Sequence, residues 1–205
     1  MRTLWNDGWQ FAKLPLGSDY AGMQAAPKQP VLLPHDWLIA DADHLYENGD
    51  GWYIKALPWR AEYADQRLYL SFDGVYMDAD VLVNGQVIRT HRYGYTAFRV
   101  ELTGHLAAGE NEIAVHIRHQ SPNSRWYSGA GIFRDVQLEV FPAHHMIPDG
   151  FQVNTALENA GWRLDFSVEL TGAGPLPAYR LLDGEAVLAQ GVMAGPEQSL
   201  LLADV

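Results

Sequence analysis

The chain has 205 residues, of which 48% are hydrophobic and 19% are charged, and its formal net charge is −11. This length predicts one large domain, or one domain with part of another, and a substantial core. The negative charge argues against binding to nucleic acid or to an anionic membrane surface. Because cysteine is absent, disulfides, thiolate metal sites and thiol nucleophiles are excluded. No secretory or membrane-spanning segment is recognised, so a cytoplasmic protein is expected.

Hydrophobic residues alternate with polar ones in several segments, and this period of two is typical of half-buried β-strands. In chain order the segments are 67–72, 75–83, 112–118, 135–140 and 162–170. Asn84-Gly85 predicts a type I′ hairpin with two positive φ angles, and Asp183-Gly184 is interpreted in the same way. No segment shows a sustained helical period with capping signals. The pattern predicts an all-β chain arranged as a two-sheet sandwich or jelly roll.

A domain boundary is predicted within residues 141–150, where two prolines and a glycine bracket a short segment. Six of the seven tryptophans precede it, and a fresh series of alternating residues begins at Trp162. Roughly 60 residues remain, fewer than the ~100 of an immunoglobulin-like sandwich. We therefore predict a first domain over residues 1–142 and a second domain, cut short, over residues 143–205.

The sequence contains no phosphate-binding loop and no Gly-x-Ser-x-Gly nucleophile elbow. Two histidine pairs invite a metal interpretation. His116 and His119 are three residues apart on a strand, so they point to opposite faces and cannot easily share an ion. His144 and His145 are adjacent in the linker and have the same geometric defect. Exposed strand and linker histidines are the favoured interpretation.

No pair of carboxylates suited to acid–base catalysis can be identified by spacing. Asp78 and Asp80 project from one side of their strand and are interpreted as a charged outer face that discourages edge pairing. His35 and Asp36 are expected at a loop end, where a hydrogen bond between them orders the loop. The following segment 41–51 is long, acidic and without a strand pattern, as functional or mobile loops often are.

The most unusual segment is 120–134, which lies between two predicted strands. Its candidate side chains are Asn123, Ser124, Arg125, Trp126 and Tyr127. The polar ones can donate hydrogen bonds to hydroxyl groups, and the two aromatic rings offer flat apolar faces. Because a sugar ring has an apolar face and polar edges, this combination suits a sugar. The alternative is that the aromatic rings close the end of the sandwich.

Short motifs in a fixed order extend this interpretation. They are Leu33-Pro-His-Asp-Trp37, Gly51-Trp-Tyr53, Phe72-Asp-Gly-Val-Tyr76, Val83-Asn-Gly85, Gly94-Tyr-Thr-Ala-Phe98, Leu102-Thr103, Gly109-Glu-Asn111 and Ser124-Arg-Trp-Tyr-Ser-Gly-Ala-Gly-Ile-Phe-Arg-Asp135. Together they resemble the N-terminal domain of glycoside hydrolase family 2, which includes β-galactosidases, β-glucuronidases and β-mannosidases. The resemblance covers residues 1–142, and residues 143–205 resemble the beginning of the immunoglobulin-like domain that follows in these enzymes.

The resemblance implies a jelly-roll, galactose-binding-like β-sandwich followed by a truncated immunoglobulin-like β-sandwich. It places the two catalytic glutamates in a (β/α)₈ barrel, which takes about 250 residues, so no catalytic residue is assigned here. Loops of the first domain are implied to help shape the substrate pocket. Arg125 stands where well-studied members have a sugar-contacting aspartate, so residues 123–127 are candidates as a group. Glu47 and Asn48, in the other loop near the pocket, are weaker candidates.

The sequence thus predicts the non-catalytic N-terminal portion of a retaining family 2 glycosidase, with β-galactosidase as the leading activity. A β-glucuronidase or β-mannosidase fragment is one alternative. A stand-alone, lectin-like carbohydrate-binding module and a purely structural sandwich are others. The expected partner is a carbohydrate, with neither nucleic acid nor membrane, and the resemblance implies a homo-oligomeric full-length enzyme. No cofactor or metal ligand is assigned, although some members of the family need Mg²⁺ or Na⁺.

Overall fold

The computed structural model describes residues 1–122, 129–159 and 161–202, apart from the side chain of Ala42. Strands dominate these residues, which confirms the prediction of an all-β fold. The chain divides into two compact units, Met1–Val140 and Phe141–Val205. This division falls two residues before the predicted boundary.

The first unit is built from twelve strands in the described residues. They are β1 (Arg2–Leu4), β2 (Trp9–Leu14), β3 (Gln29–Val31), β4 (His35–Asp36), β5 (Gly49–Pro58), β6 (Gln66–Phe72), β7 (Ala79–Val83), β8 (Gln86–His91), β9 (Phe98–Glu101), β10 (Glu110–His119), β11 (Gly131–Ile132) and β12 (Val136–Pro142). One sheet has the order β1-β12-β6-β9, and the larger sheet has the order β3-β2-β5-β10-β7-β8. A small sheet pairs β11 with β4.

The core of the first unit lies between the two large sheets. Alternate residues of each sheet point inward, so the period of two in the sequence becomes a layer of buried side chains. From the smaller sheet come Leu70, Phe72 and Val100, and from the larger one Val115 and Ile117. All are fully or almost fully buried. This sandwich positions the loops at its two ends.

A short helix, α1 (Tyr20–Ala25), covers the outer face of the larger sheet. The Asp19 side chain caps it by accepting a hydrogen bond from the backbone N–H of Gly22 at 2.8 Å. Met23 is its buried residue and packs in a second apolar cluster with Trp52 and Leu82. Two 3₁₀ turns, Ala42–His44 and Ala61–Tyr63, complete the helical residues. A helix of six residues is too short to show a helical period in the sequence.

Two local predictions are wrong in detail. The strand predicted over 75–83 begins only at Ala79, because Asp78 has a φ of +56° and breaks the extended run. The Asn84-Gly85 turn has positive φ at both residues, as predicted. In the other hairpin Asp183 pairs with Ala186, so the turn residues are 184 and 185, and Gly184 carries the positive φ. Glycine at the first central position is typical of a type II′ turn.

The second unit contains five strands in the described residues. They are β13 (His145–Glu158), β14 (Gly161–Thr171), β15 (Ala178–Asp183), β16 (Ala186–Val192) and β17 (Glu197–Leu202). One sheet has the order β13-β14-β17, and β15 pairs with β16. Its small core consists of Phe166, Val168 and Met193, with partly buried neighbours around them.

Candidate functional site

Two of the predicted site residues, Glu47 and Asn48, lie at one end of the first unit, which we call the loop end and define as residues 33–39, 44–49, 119–122 and 129–132. Pairing of Gly131 with Asp36 and of Ile132 with His35 joins two of its segments. The five candidates over 123–127 lie outside the described residues, so their sugar contacts stay a prediction. The loop end contains the residues that flank them on both sides.

Steric constraints at the loop end require glycine at position 131. Its φ is +143°, and a Cβ placed on it would lie 2.2 Å from the carbonyl oxygen of His35 and 2.6 Å from the Tyr53 hydroxyl. Its backbone exchanges two hydrogen bonds with Tyr76, N to O at 2.8 Å and O to N at 2.9 Å. Only glycine permits this approach. Three of the sequence motifs therefore converge on one backbone position.

Asp36 joins the two segments through its carboxylate. Oδ1 accepts hydrogen bonds from the backbone N–H groups of Leu38 at 2.9 Å, Ile39 at 3.0 Å and Ala130 at 3.0 Å. In addition, the backbone N–H of Trp37 donates a hydrogen bond to the carbonyl of Ala130 at 3.0 Å. Hydrogen bonds to an ionised carboxylate are among the stronger ones in proteins. Asp36 thus fixes the residues immediately after the 123–128 segment.

His35 takes part in a different contact from the one predicted. Its Nδ1 lies 2.7 Å from the hydroxyl of Tyr53, a fully buried residue. Burial lowers the pKa of His35, which favours the neutral ring. Ordering of the loop is achieved through Tyr53 and the Asp36–backbone bonds. The predicted His35–Asp36 hydrogen bond is not how these residues are held.

Glu47 and Asn48 belong to the same loop end. The Asn48 Oδ1 accepts a hydrogen bond from the backbone N–H of Ser121 at 2.5 Å. The carbonyl of Glu47 accepts one from Nδ1 of the buried His119 at 3.0 Å. The Glu47 carboxylate pairs with Lys13 on β2, and this contact lowers the pKa of Glu47. The loop over 44–49 is therefore attached to residues on both sides of it.

A surface cavity of about 410 Å³ lies beside these two residues. It is lined by Lys13, Leu14, Pro15, Leu16, Glu47 and Asn48. No sequence motif distinguishes residues 13–16, and Lys13 is 34 residues from Glu47, so their contribution could not be predicted. Antiparallel pairing of β2 with β5, with Leu14 opposite Asp50, brings the two segments together. The predicted residues Glu47 and Asn48 thus share a cavity with residues 13–16, which were not predicted.

Tyrosines extend from the loop end toward solvent. The ring of Tyr76 lies against Gly94, where an added Cβ would be 2.4 Å from the ring. Tyr95 packs edge-on against Tyr76 with ring centroids 5.4 Å apart, and Tyr93 packs edge-on against Tyr95 at 5.7 Å. Tyr93 is about half exposed. Glycine in the Gly94-Tyr-Thr motif is therefore explained by the close packing of Tyr76.

Asp80, on β7, and Asp78, which immediately precedes that strand, have another role than the one predicted. The strand lies between β10 and β8, so it is not an edge. Arg118 donates to Asp78 at 3.1 Å and to Asp80 at 2.7 Å. The interpretation of Asp78 and Asp80 as a deterrent to edge pairing is therefore wrong. They hold an arginine on the outer face of the larger sheet.

His116 and His119 do point to opposite faces, as predicted, but both are buried, so their interpretation as exposed strand histidines is wrong. His119 lies on the core side, whereas His116 stacks on Trp52 on the outer side with ring centroids 4.0 Å apart. The described residues contain no group of three or more histidine, aspartate or glutamate side chains that could hold a metal ion. Within the same residues, no helix is long and apolar enough to cross a membrane.

The β-sandwich and its motif-bearing loop end define a class of protein. Residues 28–142 match the family described as glycosyl hydrolases family 2, sugar binding domain. This match covers more than half of the chain. The chain belongs to family 2 of the glycosyl hydrolases, and its first unit carries the sugar-binding domain of that family.

Individual relatives give more detail. The β-galactosidase BoGH2A of Bacteroides ovatus is 37% identical over 177 residues, which cover 76% of this chain and 20% of that protein. A β-glucuronidase of Bacteroides fragilis is 35% identical over 147 residues, covering 66% and 20%. The solved structure of a family 2 glycosyl hydrolase from Bacteroides cellulosilyticus superposes with a TM-score of 0.72 at 28% identity, covering 98% of this chain and 28% of that one. The chain spans about a fifth of the length of the curated relatives it matches.

Proposed function

We propose that the chain is the non-catalytic N-terminal portion of a retaining family 2 glycosidase that hydrolyses β-galactosides. In this proposal the loop end forms one wall of the sugar pocket. The reactive carboxylates come from a (β/α)₈ barrel outside these 205 residues, since a barrel alone takes about 250 residues. A retaining reaction uses two carboxyl groups about 5 Å apart, one as acid/base and one as nucleophile.

The fixation of residues 129–132 is the observation that carries the proposal. Asp36 accepts three backbone N–H groups, and Gly131 is wedged between His35 and Tyr53. A pocket wall works only if its supporting residues hold it within fractions of an ångström. Contacts of this kind give residues 129–132 a single arrangement, and this supports a role for the loop end as a pocket wall.

The names of the relatives bear on the choice of substrate. A relative named β-galactosidase is 37% identical, but one named β-glucuronidase is 35% identical over a shorter range. Both activities therefore belong in the test. A β-glucuronidase is the second candidate, and the identity to the Bacteroides fragilis protein favours it.

The experiment compares the purified 205-residue chain with the complete translation product of its reading frame. Both are assayed with p-nitrophenyl β-galactoside, β-glucuronide and β-mannoside. We expect no turnover by the chain and hydrolysis of the galactoside by the complete product. Proton NMR of the first-formed sugar anomer should show retention of configuration.

Three outcomes would contradict the proposal in different ways. Turnover by the 205-residue chain itself would show that it contains its own catalytic groups. A reading frame that ends at Val205, together with saturable sugar binding by the chain, would establish a binding module instead. If the complete product prefers the glucuronide, the proposed role in a family 2 glycosidase stands, but the proposed substrate is wrong.

A further inference from the structure

The cavity beside Glu47 has the composition of a carbohydrate subsite. Leu14, Pro15 and Leu16 provide an apolar surface, while Lys13, Glu47 and Asn48 provide charged and polar groups at its border. Sugar recognition needs both, because a pyranose presents C–H groups on its face and hydroxyls at its edge. The volume of about 410 Å³ lies within the usual range of small-ligand sites.

The apolar wall of this cavity is held from behind by a buried carboxylate. Asp50 is fully buried, and its Oδ2 accepts hydrogen bonds from the backbone N–H groups of Gly17 and Ser18, both at 2.8 Å. The Ser18 hydroxyl donates to the same oxygen at 3.0 Å and accepts from the indole N–H of Trp52 at 2.9 Å. The turn that follows Leu16 therefore has a fixed geometry. A preorganised wall reduces the entropic cost of binding.

The orientation of the Asn48 amide follows from its partner. The backbone N–H of Ser121 is a donor, so only the oxygen of the Asn48 amide can face it. The two N–H groups of Nδ2 are consequently directed away from Ser121, and they have no partner among the described residues. Asn48 can thus hold the 120–122 segment and still donate to a hydroxyl group of a ligand.

The charges at the border are balanced. Lys13 and Glu47 form an ion pair whose two side chains are 35% and 47% exposed. An anionic ligand would have to displace Glu47 from Lys13 while being repelled by it. A neutral ligand can instead donate a hydroxyl to Glu47 and accept from Lys13 without separating the pair.

We propose that this cavity is a subsite for a neutral saccharide and that the Lys13–Glu47 pair excludes uronic acids from it. The inference rests on the proposed function in one respect, namely that the ligand is a carbohydrate. It assigns Lys13, which no sequence motif marks, as a residue that determines specificity. It also gives Glu47 a definite role, which is to neutralise Lys13.

The test measures binding of methyl β-galactoside and methyl β-glucuronide to the 205-residue chain by NMR titration. In the wild-type chain we expect the galactoside to shift the signals of Lys13 and Asn48, and the glucuronide to bind more weakly. Glu47→Gln leaves Lys13 without its counter-charge. At about 4 Å in water the freed charge is worth about fivefold in affinity, so Glu47→Gln should tighten glucuronide binding by about fivefold. Galactoside affinity should change by less than about twofold, because a neutral sugar gains no net charge interaction.

Glu101→Gln is the matched control. Glu101 is similarly exposed and pairs with Arg67 on the smaller sheet, so the substitution changes the net charge equally at a different place. Lys13→Gln combined with Glu47→Gln should restore the preference for the neutral sugar. An unchanged glucuronide affinity in Glu47→Gln, an equal gain in Glu101→Gln, or no shift at Lys13 and Asn48 with either sugar would overturn the inference. The turnover assay of the complete translation product is independent, so failure of the proposed function remains distinguishable.

Discussion

The two units of the chain bury their hydrophobic residues to different degrees. In the first unit a continuous core fills the space between two large sheets, and residues such as Phe72, Leu70 and Ile113 are completely inaccessible. In the described part of the second unit the buried core is limited to Phe166, Val168 and Met193. Burial of apolar surface is the main favourable term in folding. The first unit should therefore contribute most of the stability of the chain.

The two units also differ in which residues they expose and which they bury. Several large apolar residues of the second unit are more than half exposed, among them Phe151, Leu157 and Leu201. Several polar groups of the first unit, by contrast, are buried and well partnered, as Asn111 and Glu139 are. Such networks fix a single arrangement when every member has a partner. The comparison suggests that precise positioning is a property of the first unit.

The largest expected effect comes from comparing two phenylalanine-to-alanine substitutions, one in each unit, at sites that differ in burial. Phe72 is fully buried and stacks on Phe98 with ring centroids 4.9 Å apart, whereas Phe151 is 52% exposed. Phe72→Ala should lower the free energy of unfolding by about 3 to 5 kcal/mol. Phe151→Ala should lower it by less than about 1 kcal/mol.

Urea denaturation of the whole chain measures both variants. Fluorescence reports mainly on the first unit, because six of the seven tryptophans precede residue 141. A Phe72→Ala chain too unstable to fold agrees with the expected large loss. Equal costs for the two phenylalanines would contradict the comparison.

The second prediction concerns the loop end. Gly131→Ala combines an unfavourable backbone conformation with a clash against the His35 carbonyl, which belongs to the backbone and cannot rotate away. We expect a loss of about 2 to 4 kcal/mol. Gly104→Ala is the control, because Gly104 also has a positive φ but nothing within 4 Å of the added Cβ. It should cost only about 1 kcal/mol.

Urea titration separates the two glycine variants, and NMR of the Gly131→Ala chain shows where the change occurs. Signals of Asp36, Tyr53 and Tyr76 should move, because these residues surround the substituted position. Equal costs for the two glycine variants would mean that backbone conformation alone matters and that the loop end is not tightly packed.

Much of this fold can be predicted from alternation and turn residues, and the failures have physical causes. The β6, β10 and β12 strands and the Asn84-Gly85 hairpin follow from local signals. Alternation continues from Val75 to Val83 in the sequence, but Tyr76 bridges to Gly131, a contact between residues 55 positions apart that no local pattern encodes.

The candidate site shows the same limit. The composition of the 120–134 segment led to the 123–127 group, whereas Glu47 and Asn48 were named only through the resemblance to a family. The cavity depends on the pairing of β2 with β5 and on a buried Asp50, both of which are tertiary features. Only the three-dimensional arrangement could add Lys13 to the set.

The smallest expected effect is a pH dependence of opposite sign in the two units. In the first unit burial lowers the pKa of His35, His116 and His119 below the ordinary value of 6.5. The unfolded chain therefore binds more protons than the folded one as the pH falls below 6.5, and stability is lost. A histidine that burial keeps neutral in the folded chain therefore contributes to the loss of stability on acidification.

In the second unit His144 should act in the other direction. Hydrogen bonds from its ring to the carbonyls of Pro175 at 2.9 Å and Thr171 at 2.8 Å raise its pKa. Both ring nitrogens can donate only in the protonated imidazole, so the stabilisation is complete below pH 6.5 and is lost as the pH rises through the folded pKa.

Proton NMR titration of the histidine rings measures these values directly, and urea midpoints at several pH values report the stability. His119→Gln should reduce the loss of stability on acidification, and the same substitution at the exposed His105 is the control. An apparent pKa of His144 below that of His119 would reverse the predicted order. In that case the hydrogen bonds of the second unit would be weaker than its geometry indicates, and the contrast between the units would rest on apolar burial alone.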